Sequence, residues 1–211
     1  MRANLLPGLI LQAFAVTVVI GYFRVEAVAH ALDVLGVLKH EWGYVYSALA
    51  TALFGGLIPF LTLFALRRIP RGRESRELAF YVAFWIWKGV EVDALYRGQA
   101  WLFGSSGDAT VVTAKVAVDQ LLYNPLWAAP TQVVCFLWKD SGFSLVGLRR
   151  SLAERTLARR SATILFSSWS VWIPAVTFIY SMPAPLQIPL FNLVLCFWCL
   201  LLTFISRETT A

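Results

Sequence analysis

Charge is what this sequence lacks most: Asp, Glu, Lys and Arg together make up only 14% of its 211 residues. A soluble domain covers its surface with roughly a quarter charged residues, so water is not the medium this surface is built to face. Histidine is also scarce. Its two copies, His30 and His40, share one stretch with Asp33 and Glu41; that set is the one place where a metal site could be assembled, and no metal is expected there. The three cysteines, Cys135, Cys196 and Cys199, all fall inside apolar runs, where they act as small hydrophobes and leave no disulfide framework. Cys196-x-x-Cys199 has no acid or His beside it, which argues against a redox or metal motif. A nucleotide-binding Gly loop, a Gly-x-Ser-x-Gly elbow and a His-Glu-x-x-His pair are missing too. Enzyme chemistry with a known signature therefore has no foothold, and no catalytic residue or cofactor is expected.

What is present is hydrocarbon. Apolar residues make up 59% of the chain, the mean hydropathy is +0.68, and nine Trp stand among 31 aromatics. A bilayer core of about 30 Å needs about 20 apolar helical residues to cross it, and six stretches approach that length. Residues 44 to 66, 78 to 97, 161 to 181 and 186 to 206 are the clearest. Residues 5 to 23 make a fifth. Residues 110 to 138 make a long sixth interrupted by Pro125 and Pro130, where neighbouring helices can satisfy the freed carbonyls and a kink is expected at Pro125. The expected fold class is all-α, a polytopic transmembrane bundle of about six spans forming a single integral membrane domain over residues 1 to 211. Most Trp residues lie toward span ends, where amphipathic rings anchor at the headgroup level. Gly55, Gly56 and Gly89 fit close helix packing.

The net charge of +6 is distributed as topology signals, with no basic stripe interleaved with stacking aromatics, so nucleic acid is not an expected partner. Arg67, Arg68, Arg71, Arg73 and Arg76 fill one connection, and Lys139, Arg149, Arg150, Arg155, Arg159 and Arg160 fill another. Basic loops stay on the cytoplasmic or matrix-like side, which places both there along with the two termini. The connection at residues 24 to 43 then lies on the far side, and there Arg24 and Lys39 are offset by Glu26, Asp33 and Glu41. Arg2, an apolar run and Ala27-Val28-Ala29 also resemble a secretory signal, but Arg24 and Glu26 intervene before any cut, so a retained span is the preferred reading. Within the basic segment at residues 139 to 160, Leu145, Leu148 and Leu152 recur at helical spacing. This predicts an interfacial amphipathic helix whose Arg149, Arg150, Arg155 and Arg159 contact lipid headgroups; a solvated loop of topology charges is the alternative.

Ionisable groups at membrane depth cost about 2.5 to 3.5 kcal/mol each and turn inward. They concentrate in two adjacent spans: Lys88, Glu91, Asp93 and Arg97 in the third, Lys115 and Asp119 followed by Gln120 in the fourth. The spacings of three and four predict the intrahelical pairs Lys88–Glu91, Asp93–Arg97 and Lys115–Asp119. These groups, with Tyr96, either lock helices together or line a hydrated path for small polar solutes.

Lys115-x-x-x-Asp119-Gln120-x-x-x-x-Pro125 resembles the signature of the peroxisomal membrane protein 22 kDa family, to which Mpv-seventeen proteins belong. Gly89 with Tyr96, Trp172 with Pro174, and Pro183, Asn192 and Trp198 resemble further family positions, so the likeness covers roughly residues 85 to 206. Ile173 separates the Trp and Pro that are adjacent in the family, Val90 stands in place of a Pro, the family's following Gln and Asn-Phe pair have become apolar or displaced near Val176 to Ile179, and an Arg is lost near Gln187. The resemblance implies a remote relative of small multi-span membrane proteins linked to weakly selective metabolite pores and metabolite homeostasis. Home would be a mitochondrial inner or peroxisomal membrane in a eukaryote, or the inner membrane in a bacterium. The expectation is therefore a pore for small polar solutes, with a non-conducting membrane-organising or lipid-binding protein as alternative. Its partners are membrane lipids and small polar solutes, and a homo-oligomer is compatible with either reading.

Overall fold

In a computed structural model that describes residues 5 to 153 and 156 to 205, every regular element is helical. The helices are α1 (Leu5–Arg24), α2 (Glu26–Trp42), α3 (Tyr44–Thr51), α4 (Ile58–Ala65), α5 (Glu74–Phe103), α6 (Ala109–Ala117), α7 (Ala129–Asp140), α8 (Leu145–Ala153), α9 (Thr156–Ser181) and α10 (Ala184–Ile205). A π-helical segment, Ala52–Leu57, joins α3 to α4, and a second, Val118–Ala128, joins α6 to α7. All six apolar stretches of the sequence are helical. Among the described residues one of them, Tyr44–Ala65, is long and apolar enough by length and composition alone to cross a membrane. In the 30-residue α5, Lys88, Glu91, Asp93 and Arg97 interrupt the apolar stretch.

The boundaries follow local chemistry. Val25 is extended (φ −126°, ψ 108°) and separates α1 from α2. Gly43 ends α2 at φ 54°, and Gly104 ends α5 at φ 88°, conformations that a residue without Cβ adopts at little cost. Glu74 and Glu77 occupy the first turn of α5, where acids favour the positive end of the helix dipole.

Residues 24 to 43, expected as a connection, instead form α2. That helix packs along α10 and α1, burying Leu32, Gly36 and Lys39. Their spacing of four and three is one helical stripe. The basic segment is helical where it is described: α8 ends at Ala153, α9 begins at Thr156, and residues 154 and 155 lie outside the described residues. Arg149 and Arg150 are exposed on α8. Arg155 lies outside the described residues, and Arg159 falls in the first turn of α9.

Trp85 departs from the expected belt. It is buried mid-helix, and a Cβ added at Gly55 would stand 2.8 Å from its ring. Gly89 makes the tightest approach, since a Cβ there would run into Ser47 O. Small residues thus bring α5 close against α3 and the first π segment.

Polar and charged groups are buried within an otherwise apolar core, and large apolar side chains lie on the surface. Lys39, Glu77, Lys88, Asp93, Lys115, Asp119, Gln99, Gln120, Gln187 and Asn192 are buried, whereas Leu49, Leu53, Leu61, Phe64, Ile86, Val90, Leu121, Leu122 and Leu126 are exposed.

Candidate functional site

The buried ionisable groups form three clusters along α5. At the first, Asp93, only 2% exposed, accepts hydrogen bonds from Lys39 Nζ (2.7 Å), Ser47 Oγ (2.8 Å) and Arg97 Nε (3.0 Å). The expected Asp93–Arg97 pair is therefore present but secondary. Arg97 has a half-exposed side chain stacked over the Tyr44 ring, and Lys39, expected to be a charge of the far-side connection, is the buried partner. A carboxylate with three donors is well satisfied despite its depth.

In the second cluster, Lys88 Nζ donates to Glu91 Oε1 at 2.7 Å and to Thr131 Oγ1 at 3.1 Å. The expected pair is formed. Tyr123 OH also donates to Glu91 Oε1, and the other carboxylate oxygen, Oε2, is buried without a partner among the described residues. Trp87 places its ring 4.9 Å from the Lys88 ammonium. This cluster ties α5 to the second π segment and α7.

The third cluster corrects an expectation. Asp119 is not paired with Lys115; its oxygens accept from Tyr180 OH (2.7 Å) on α9 and from Gln120 Nε2 (3.2 Å). Where an α-helix would bring residues four apart onto one face, the π-helical register begins at Val118, between the two residues. Lys115, 1% exposed, lies with Nζ 5.8 Å from the Tyr180 ring centre and no carboxylate within ion-pair distance among the described residues. Tyr96, expected along a hydrated path, is buried with its ring 4.9 Å from that of Tyr180. Gln99 lies beside Tyr180, yet neither polar atom of its side-chain amide reaches hydrogen-bond geometry among the described residues.

Pro125 sits inside the second π segment, so helical structure continues through the proline. In the i to i+5 pattern of a π-helix, the carbonyl that Pro125 would serve is that of Gln120, and proline has no N–H to give. Trp169 on α9 supplies the missing donor, with Nε1 2.9 Å from Gln120 O. Gln120 also accepts at its side chain from Asn124 Nδ2 at 3.2 Å.

Comparison with protein-family models, with curated proteins and with solved structures finds no match. The site therefore rests on its own geometry. These groups do not share one face of α5: Asp93 and Arg97 meet α2 and α3, Lys88 and Glu91 meet the second π segment and α7, and Lys115, Asp119 and Tyr96 meet Tyr180 of α9, while Arg149 and Arg150 on α8 take no part in these contacts. Sequence reasoning missed Lys39, Ser47, Tyr123, Thr131 and Tyr180. Lys39 had a signal in its spacing from Leu32 and Gly36; Tyr180 had none, because a tyrosine in an apolar span looks like any other aromatic. Glu77 and Lys139 form a further pair at 3.4 Å between α5 and α7. Among the described residues no three His, Cys, Asp or Glu side chains gather as metal ligands.

What this arrangement can do chemically is hold charge away from hydrocarbon. It offers fixed charges of both signs, carboxylates and ammoniums, with amide and phenol groups between them.

Proposed function

We propose that the chain is a polytopic integral membrane protein of about six spans, formed by α1, α3 with α4, α5, α6 with α7, α9 and α10. In this reading α5 and the second π segment bound a weakly selective path for small polar solutes, which serves metabolite homeostasis and is closed in this conformation. The observation that carries it is that six charged side chains, Lys39, Glu77, Lys88, Asp93, Lys115 and Asp119, are buried while large apolar side chains such as Leu49, Leu61, Phe64, Val90 and Leu126 face outward. Lipid stabilises such a surface and water does not. Mixed-sign charge along the path would give little ion selectivity. Both termini then lie on the side of the basic connections, in an organellar membrane of a eukaryote or the inner membrane of a bacterium.

A specific observation favours the second reading, a non-conducting membrane organiser. Asp93 and Asp119 each have every carboxylate oxygen engaged, as expected of groups that only fix packing. Purified protein reconstituted into planar bilayers separates the two. The pore reading expects conductance that changes with Asp119→Asn and Lys115→Met, in variants whose folding is verified by circular dichroism and gel filtration. Silent bilayers containing folded protein, or function that survives replacing Lys88 and Glu91 together by Met and Leu, would establish the organiser instead.

A further inference from the structure

A groove of about 490 Å³ runs between α5 and α7, apart from the polar clusters. Its α5 wall is Arg76, Ala79, Phe80, Ala83, Phe84 and Trp87, positions that recur at i, i+3, i+4, i+7, i+8 and i+11 and so form one helical stripe. Cys135 and Trp138 of α7 make the opposite wall, and Phe143 closes the end nearest Arg76. From Arg76 to Trp87 the groove extends about 16 Å at the helical rise, about half of a ~30 Å hydrocarbon core. Its volume lies in the range of ~300 to 1,000 Å³ typical of small-ligand pockets.

Charge fixes the orientation of an occupant. Arg76 is exposed and makes no hydrogen bond or ion pair with the described residues. Its neighbour Arg73 is already committed, donating from Nη2 to Lys139 O at 3.2 Å and lying over the Phe143 ring. Lys139 is likewise held by Glu77 and Asp140. Neither guanidinium is paired with a carboxylate among the described residues, and Arg76, which has no bond to them, is the one open to a ligand at this end of an aromatic channel one leaflet deep. An apolar chain with an anionic head matches both features.

We propose that this groove holds one acyl chain of an anionic glycerophospholipid whose phosphate is bound by Arg76. The inference rests on the membrane reading above. Aromatic walls suit a single chain because Phe80, Phe84 and Trp87 present broad surfaces at low conformational cost, and Ala79 and Ala83 leave the floor open between them.

The test uses the full chain in vesicles carrying either a phosphatidylglycerol or a phosphatidylcholine with a photoactivatable group on one acyl chain, with adducts mapped by peptide mass spectrometry. Adducts from the anionic probe are expected on peptides spanning residues 76 to 87 and 135 to 143. They should exceed those from the zwitterionic probe by about five-fold, the preference that one basic side chain gives near an anionic headgroup. Arg76→Gln is expected to bring that ratio to about one without lowering labelling by phosphatidylcholine. Ala83→Phe, which fills the groove at an exposed position, is expected to abolish these adducts for both probes. Equal labelling by both lipids in the unaltered protein, or labelling that ignores Ala83→Phe, would overturn the proposal in favour of an ordinary lipid annulus. Release of the chain from its native membrane by alkaline carbonate would instead refute the membrane reading itself, so the two failures are distinguishable.

Discussion

Lys39 and Asp93 stand 54 positions apart in the chain and 2.7 Å apart in space, with Lys39 reaching from α2 to the middle of α5. This contact carries most of the electrostatic compensation of Asp93, since the other cation, Arg97, has a half-exposed side chain.

Removing one partner therefore leaves a buried charge uncompensated. Lys39→Met is expected to destabilise the folded protein by about 3 to 5 kcal/mol, whereas Arg97→Gln should cost under about 1 kcal/mol, as solvent-screened pairs do. Replacing both Lys39 and Asp93 by Met and Leu should recover most of the loss. Denaturant titration in detergent micelles measures all three. Equal losses for Lys39→Met and Arg97→Gln would show that the α2 contact has no special weight.

Lys115 and Asp119 lead to the opposite expectation. A pair of them would make Lys115→Met as damaging as Lys39→Met, but Lys115 has no carboxylate at hand and Asp119 depends on Tyr180. Lys115→Met should leave stability unchanged or raise it, because an unpaired buried ammonium is removed. Tyr180→Phe should cost about 1.5 to 3 kcal/mol, the value of a hydrogen bond to a charged group. Melting temperatures of the two variants, measured side by side, decide the matter.

Gly89 and Gly98 lie on the same helix and differ in what surrounds them. A methyl group at Gly89 would drive into Ser47 O and Thr51, whereas one at Gly98 meets nothing within 4 Å. Gly89→Ala is expected to cost at least about 1 to 3 kcal/mol through overpacking, and Gly98→Ala to gain up to about 1 kcal/mol from helix propensity. A neutral Gly89→Ala in the same unfolding assay would contradict the close approach of α3 to α5.

Trp169→Phe isolates the repair of the Pro125 gap. Loss of its N–H leaves Gln120 O without that donor, with an expected penalty of about 1 to 3 kcal/mol. In the Pro125→Ala background residue 125 regains an N–H, so the same Trp169→Phe change should cost distinctly less. A double-mutant cycle reads the coupling; additive losses would disconnect the two residues.

The six helical stretches were legible because apolar length is a one-dimensional signal, and their bounds match the helices within a few residues at most ends. Lys88–Glu91 was legible for the same reason: both groups lie on one regular helix. Lys115–Asp119 was not, because helical spacing assumes an α register and the second π segment starts between the two residues. Lys39 was assigned to a connection since α2 is short and carries six ionisable side chains, so its buried stripe is weak against its polar face. Tyr180, Tyr123 and Thr131 meet their partners only through tertiary packing, which no local pattern encodes.

The reach from α2 to α5 also bears on how the chain is made. Synthesis proceeds from the N-terminus at about 5 to 20 residues per second, so Lys39 leaves the ribosome some 3 to 10 s before Asp93. For that interval the nascent protein carries a cation whose counter-charge does not yet exist. Lys39 can find its partner only after α5 has been delivered, and α10, on which α2 also packs, follows later still, which makes burial of α2 a late event in biogenesis and leaves any product truncated before residue 93 with an unmet charge for quality control to recognise.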